Sequence, residues 1–196
     1  MRPRNIIPLD SARVIPGSNY LIDTNVWILA LSQFSDMKPW ENKYVDFFFE
    51  IVDCPLTPAP KILMPTLLMS ELVNTYLRKF AMVDYKVEIG MDENEKLDFK
   101  TEYRVTQQYR NRFEQLIDDI TSYSTTLRFF DDRGIAANPA LLLNKAIDEF
   151  DYNDYLYYAI CRELKKTERI AIVTNDGDYH PDDLDIITSN RKLLNL

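Results

Sequence analysis

The chain of 196 residues predicts an α/β fold, a three-layer α/β/α arrangement around a mostly parallel central sheet. Two observations carry that expectation: short apolar segments alternate with longer stretches of helical periodicity, and several of the apolar segments are uninterrupted, as strands buried on both faces must be. Asn19 to Asp23 (NYLID) is an apolar strand closed by an acid, and Thr24-Asn25 then leads into a helical run from Val26 to Phe34. Trp40 to Val52 predicts a second helix after Pro39, and Pro55, Pro58 and Pro60 mark the loop that follows. Lys61 to Met64 reads as a buried strand, with Pro65 suited to the first turn of a helix reaching about Phe80.

The segment from Asp84 to Asp98 is charge-rich and predicts a solvated connection. A long amphipathic helix is expected over Thr101 to Tyr123, with Tyr109, Phe113, Leu116, Ile117, Ile120 and Tyr123 at helical spacing. Leu127 to Phe130 predicts a brief strand, Pro139 to Phe150 and Asn153 to Lys165 two helices, and RIAIVT (Arg169–Thr174) and LDIIT (Leu184–Thr188) two strands. In domain terms, residues 1–18 are an N-terminal extension and 19–196 a single domain with a helical insertion at about 84–125.

Composition excludes several classes of chemistry. No apolar run approaches the ~20 residues of a membrane span, and the N-terminal residues lack the sustained apolar stretch of a secretory signal, so a soluble cytoplasmic protein is expected. Two cysteines, Cys54 and Cys161, are too few for a disulfide framework and lack zinc-site spacing; both are expected to be small core residues. The single histidine, His180, lies in a loop-like Tyr-His-Pro segment, and only four glycines are present, without a phosphate-cradling loop or dinucleotide fingerprint. Carboxylate is abundant: 31 Asp and Glu against 23 Lys and Arg, a net charge of -8. That balance opposes nucleic-acid binding unless acids converge on divalent cations and invert the local sign.

In open α/β sheets, functional groups collect beyond the carboxyl ends of strands. Asp23 directly ends one strand, and Asp176 lies two residues past RIAIV in the Thr174-Asn175-Asp176-Gly177-Asp178 loop. Glu71 and Asp154 stand near helix starts. At 100° per residue Glu71 shares a face with Asn74 and Arg78, opposite Met69, Leu72, Val73, Tyr76, Leu77 and Phe80, so it faces water or a wet cleft. Asp154 borders the apolar face of Leu156, Tyr157, Ile160 and Leu164. Each acid taken singly has an ordinary explanation as a turn residue, a helix cap or a solvated charge.

The motifs LIDTNVW, PTLLMSEL, FDYNDYLYYAIC and IAIVTNDGDY resemble, in order, the four acidic motifs of PIN-domain nucleases, including VapC-like toxins of toxin–antitoxin pairs. The resemblance spans about Asn19 to Ile187 and implies a PIN-like fold. It implies an acidic cluster of Asp23, Glu71, Asp154 and Asp176, with Asp178 auxiliary and Thr24, Asn25 and Thr174 as supporting polar residues. Asp148 and Asp151 are alternatives for the third acid, Asp154 fitting the motif best. The implied activity is endoribonucleolytic hydrolysis with Mg²⁺ or Mn²⁺, leaving 5′-phosphate and 3′-hydroxyl ends, and the implied partners are RNA, a basic antitoxin and a second copy of the chain. The oxygen-rich ligand set agrees with the preferences of both ions.

Substrate contacts are expected at Arg78, with Tyr103, Arg104, Tyr109, Arg110 and Arg112 as aromatic and basic candidates; Tyr109 also belongs to the apolar stripe of its helix. A phosphatase of the haloacid dehalogenase type is disfavoured because Asp23-Thr24-Asn25 lacks a second aspartate two residues on, and a receiver domain because it needs an acidic pair near the first strand. A catalytically silent PIN-like module that binds RNA or protein is the competing reading.

Overall fold

The computed structural model describes residues 5–32, 37–92, 95–136, 152–179 and 183–195. Six parallel strands form one sheet: β1 (Ile6–Pro8), β2 (Asn19–Ile22), β3 (Lys61–Pro65), β4 (Leu127–Phe130), β5 (Ile170–Val173) and β6 (Asp185–Thr188), in the spatial order β1-β6-β5-β2-β3-β4. The helices are α1 (Thr24–Ser32), α2 (Pro39–Val52), α3 (Thr66–Tyr76), α4 (Met82–Glu88), α5 (Gln107–Ser122), α6 (Arg133–Ala136), α7 (Tyr152–Leu164) and α8 (Arg191–Leu194). The expected α/β fold with an α/β/α layering is thus present, and the sheet is wholly parallel.

The central strands explain why. Every residue of β2 and β5 is buried, so these strands need cover on both faces, which crossover helices provide. The edge strands β1 and β4 are short and partly exposed, which limits the unpaired backbone offered to another chain. From β2 the chain steps outward through β3 to β4, then returns to place β5 on the other side of β2 and β6 beyond it. The direction of winding therefore reverses between β2 and β5, where the registers align Ile22 with Val173.

The chain divides into two compact units, Met1–Leu68 with Thr126–Leu196, and Met69–Thr125. The sheet belongs to the first. The second holds most of α3, a π-helical turn over Leu77–Ala81, α4, a second π-helical turn over Phe99–Tyr103, and α5.

Several expectations are corrected. Residues 1–18 are not all outside the sheet: Ile6–Pro8 pairs in parallel with β6, Ile6 opposite Ile186. A three-residue edge strand ending in proline is too short to show a period. Pro65 closes β3, opposite Phe130, instead of opening the helix, which starts at Thr66. Helical structure continues past Phe80 to Glu88, so Asp84 lies on α4 and pairs with Arg112. The helix expected over Thr101 to Tyr123 is interrupted: Thr106 accepts the Tyr109 N–H at 3.1 Å and caps a fresh start at Gln107, since its hydroxyl replaces a backbone acceptor. Cys161 is buried, whereas Cys54 is only half-buried. The helix expected over Pro139 to Phe150, with Asp148, Asp151 and His180, lies outside the described residues. Among the described residues, no helix is long and apolar enough to cross a membrane.

Candidate functional site

The winding reverses between β2 and β5, and in open α/β sheets ligands bind beyond the carboxyl ends of the strands at such a reversal. Asp23 and Thr174 are the first residues past these two strands. The Asp23 N–H donates to Val173 O at 3.0 Å, and the Thr174 N–H to Ile187 O at 3.2 Å, so both are held by the last rungs of the sheet. The Asp23 carbonyl accepts from the N–H groups of Val26 and Trp27, both at 3.0 Å, which starts α1.

Side chains continue the pairing. Thr174 Oγ1 donates to Asp23 Oδ2 at 2.7 Å, joining residues 151 positions apart, with Asp23 only 4% exposed and Thr174 not exposed at all. The same Oγ1 accepts the Asp176 N–H at 2.9 Å and shapes the loop after β5. One Thr174 hydroxyl thereby orients the first acid and places the backbone of another. Thr24, beside Asp23, is buried, and its hydroxyl has no hydrogen-bond partner among the described residues; Asn25 is exposed.

Asp154, half-buried in the first turn of α7, accepts a hydrogen bond from the Tyr179 hydroxyl at 3.1 Å. Tyr179 is 1% exposed. Burial pushes its ionisation well above the usual tyrosine value, and the negative charges of Asp23 and then Asp154 push it further the same way. Tyr179 is therefore a neutral donor within electrostatic reach of both acids. Asp176 Oδ1 accepts the Asp178 N–H at 2.9 Å, and the exposed Asp178 carboxylate pairs with Lys192.

Behind this end of the sheet Tyr44, fully buried on α2, acts as a fastener. Its hydroxyl lies 3.0 Å from Thr174 O and 3.2 Å from Thr188 Oγ1, and it accepts the Ser189 N–H at 2.8 Å. The carboxyl ends of β5 and β6 are thus tied to one helix. Sequence reading singled out neither Tyr44 nor Tyr179. Tyr179's place three residues past Asp176 was an available signal, whereas Tyr44 looks like any apolar-face aromatic.

The first unit brings together Asp23, Thr174 and the Asp176 N–H through the Thr174 hydroxyl, and separately joins Asp154 to Tyr179. Glu71 belongs to the second unit, where it is half-buried on α3, intermediate in exposure between buried Leu72 and exposed Asn74. Of the expected substrate contacts in that unit, Arg78, Arg112, Tyr103 and Tyr109 are internally engaged, whereas Arg104 and Arg110 are exposed. The Arg78 guanidinium lies 4.1 Å from the centre of the Phe99 ring, Arg112 meets Asp84, and Tyr103, Tyr109 and Phe113 pack in one aromatic cluster.

Among the described residues, no three Asp, Glu, His or Cys side chains converge closely enough to hold a metal ion. Asp154 accepts from Tyr179, and the Thr24 hydroxyl is buried without a hydrogen-bond partner among the described residues. Mg²⁺ characteristically takes one or two carboxylates and keeps several waters. Comparison of the chain with protein families, curated proteins and solved structures finds no match.

Proposed function

We propose that this chain is a Mg²⁺- or Mn²⁺-dependent endoribonuclease of the PIN-like kind, acting at the carboxyl ends of β2 and β5. The observation that carries this reading is the buried Asp23–Thr174 pair at the point where the sheet reverses its winding. Asp23 and Asp154 would hold the cation, with Asp176, whose N–H the same Thr174 hydroxyl accepts, on the adjoining loop. Bound there, the ion supplies charge neutralisation for phosphate and acidifies a water. The chain's own part is orientation. Thr174 fixes the Asp23 carboxylate by donating to its Oδ2, Tyr179 fixes Asp154 by donating its hydroxyl proton, and Tyr44 keeps the β5 end in place. Asp178 is proposed as an outlying acid of this site.

As a toxin, the chain would be silenced by an antitoxin whose basic segment complements a net charge of -8, and it would act as a homodimer in the cytoplasm. The silent-module reading has one observation in its favour, the lack of a three-acid convergence among the described residues.

Cleavage of single-stranded and structured RNA in Mg²⁺ or Mn²⁺, by the wild type and by Asp23→Asn, Asp154→Asn and Asp176→Asn, tests the proposal. Cleavage that falls to background in Asp23→Asn supports it. Activity indifferent to Asp23 and Asp176 would sink the site, and tight RNA binding without cleavage would favour the silent module.

A further inference from the structure

Trp40, in the first turn of α2, is 36% exposed, whereas the chain's other tryptophan, Trp27, has no exposure. Its indole lies edge-on to the Tyr44 ring, with centroids 6.4 Å apart and planes at 87°. Tyr44 in turn meets Thr174 O at 3.0 Å, and Thr174 meets Asp23 at 2.7 Å. Trp40 is one helical turn ahead of Tyr44, whose hydroxyl meets the ends of β5 and β6, so Trp40 stands on the carboxyl side of the sheet.

The same hydroxyl of Tyr44 that anchors Thr174 accepts the Ser189 N–H at 2.8 Å, and Asn190 Nδ2 donates to Asn175 O at 2.6 Å. The next residue, Arg191, is exposed and makes no ion pair among the described residues. Trp40, through Tyr44, and the residue preceding Arg191, through Asn175, are thus both tied to the segment after β5.

We propose that Trp40 is a base-stacking platform for single-stranded RNA entering this site, with Arg191 contacting the backbone phosphate beside it. The proposal rests on the ribonuclease reading for the identity of the polymer. Its physical motive is the net charge of -8, which gives RNA little non-specific attraction. Stacking on an indole face draws no strength from net charge, and it accepts any base. A duplex keeps its bases stacked inside and cannot use the platform.

The test is binding of a labelled ten-nucleotide single-stranded RNA in Mg²⁺, in the Asp23→Asn background so that turnover does not intervene. Trp40→Ala is expected to weaken binding by about 5- to 150-fold, and Trp40→Phe to recover most of the loss. Tryptophan emission should be quenched by RNA and stay unquenched in Trp40→Phe, because Trp27 is enclosed. Arg191→Gln should reduce the slope of log affinity against log salt by about 0.7. Affinity unchanged in Trp40→Ala, a duplex of the same sequence bound as tightly with the same dependence on Trp40, or no RNA binding at all would overturn the proposal. The two readings fail separately. A chain that stacks RNA on Trp40 but never cleaves it refutes the nuclease alone, whereas cleavage with KM unchanged in Trp40→Ala refutes the platform alone.

Discussion

Replacing Thr174 by valine isolates the hydroxyl on which the candidate site turns. The shape of the side chain is nearly kept while two hydrogen bonds vanish: the 2.7 Å donation to Asp23 and the 2.9 Å acceptance from the Asp176 N–H. A hydrogen bond to a charged group contributes about 1.5–3 kcal/mol and a neutral one about 1 kcal/mol. No water can replace them readily, since Thr174 is wholly enclosed. The added methyl returns about 1 kcal/mol of apolar burial, leaving a net destabilisation of about 2–3 kcal/mol. For a chain of this size that lowers Tm by roughly 4–12 °C. Both tryptophans lie in the first compact unit, so emission-monitored urea unfolding reports that unit specifically. Thr174→Ser keeps the hydroxyl and should lose only about 1 kcal/mol, the share of a buried methyl. In an Asp23→Asn background the effect of Thr174→Val should shrink, because the acceptor has lost its charge. A Thr174→Val chain within about 0.5 kcal/mol of wild type, the ordinary scatter of harmless substitutions, or a serine variant as unstable as the valine one, would refute the reasoning.

Three further perturbations probe other parts of the molecule. Glu168 accepts from Arg128 and from Asn19 Nδ2, the latter at 2.8 Å, and the Arg128 hydrogen bonds hold its carboxyl below the ordinary range. A depressed folded value means stability that is present at neutral pH and lost as pH falls through that value. Glu168→Gln should therefore cost under about 1 kcal/mol at pH 7, given the partial exposure of the pair, and nothing in acid; a deficit that grows on acidification would contradict the pairing. Cys161 is buried and its thiol is pushed strongly up by burial, so a thiol reagent should label Cys54 first in native protein and Cys161 only on unfolding; equal rates would show that the interior around Cys161 is open. Gly17 has φ of 68°, and a Cβ there would lie 2.8 Å from Pro58 Cγ, so Gly17→Ala should destabilise by at least about 1 kcal/mol. An unchanged urea midpoint would show that the turn relaxes freely.

Much of the fold was legible because strands buried on both faces must be apolar throughout, as Tyr20-Leu21-Ile22 and Ile170 to Val173 are. Helix interruptions were less legible: the apolar stripe through Tyr109 and Phe113 continues the pattern upstream, and only the Thr106 side chain, by capping, broke the helix there. Ile6–Pro8 escaped for want of length, and it becomes a strand only because β6 offers it a partner edge.

What the sequence by itself determined is the local grammar: apolar strands alternating with helices, and an acid placed directly or closely after two strand ends. What only the tertiary structure decided is which strand ends meet. Asp23 finds Thr174 because β5 returns to the flank of β2 after the chain has left it for β3 and β4. That return is set by the burial of both faces of the whole sheet, a property of no single segment. The roles of Tyr179 and Tyr44 have the same origin, since a tyrosine hydroxyl acquires its partner only when distant segments pack against its ring.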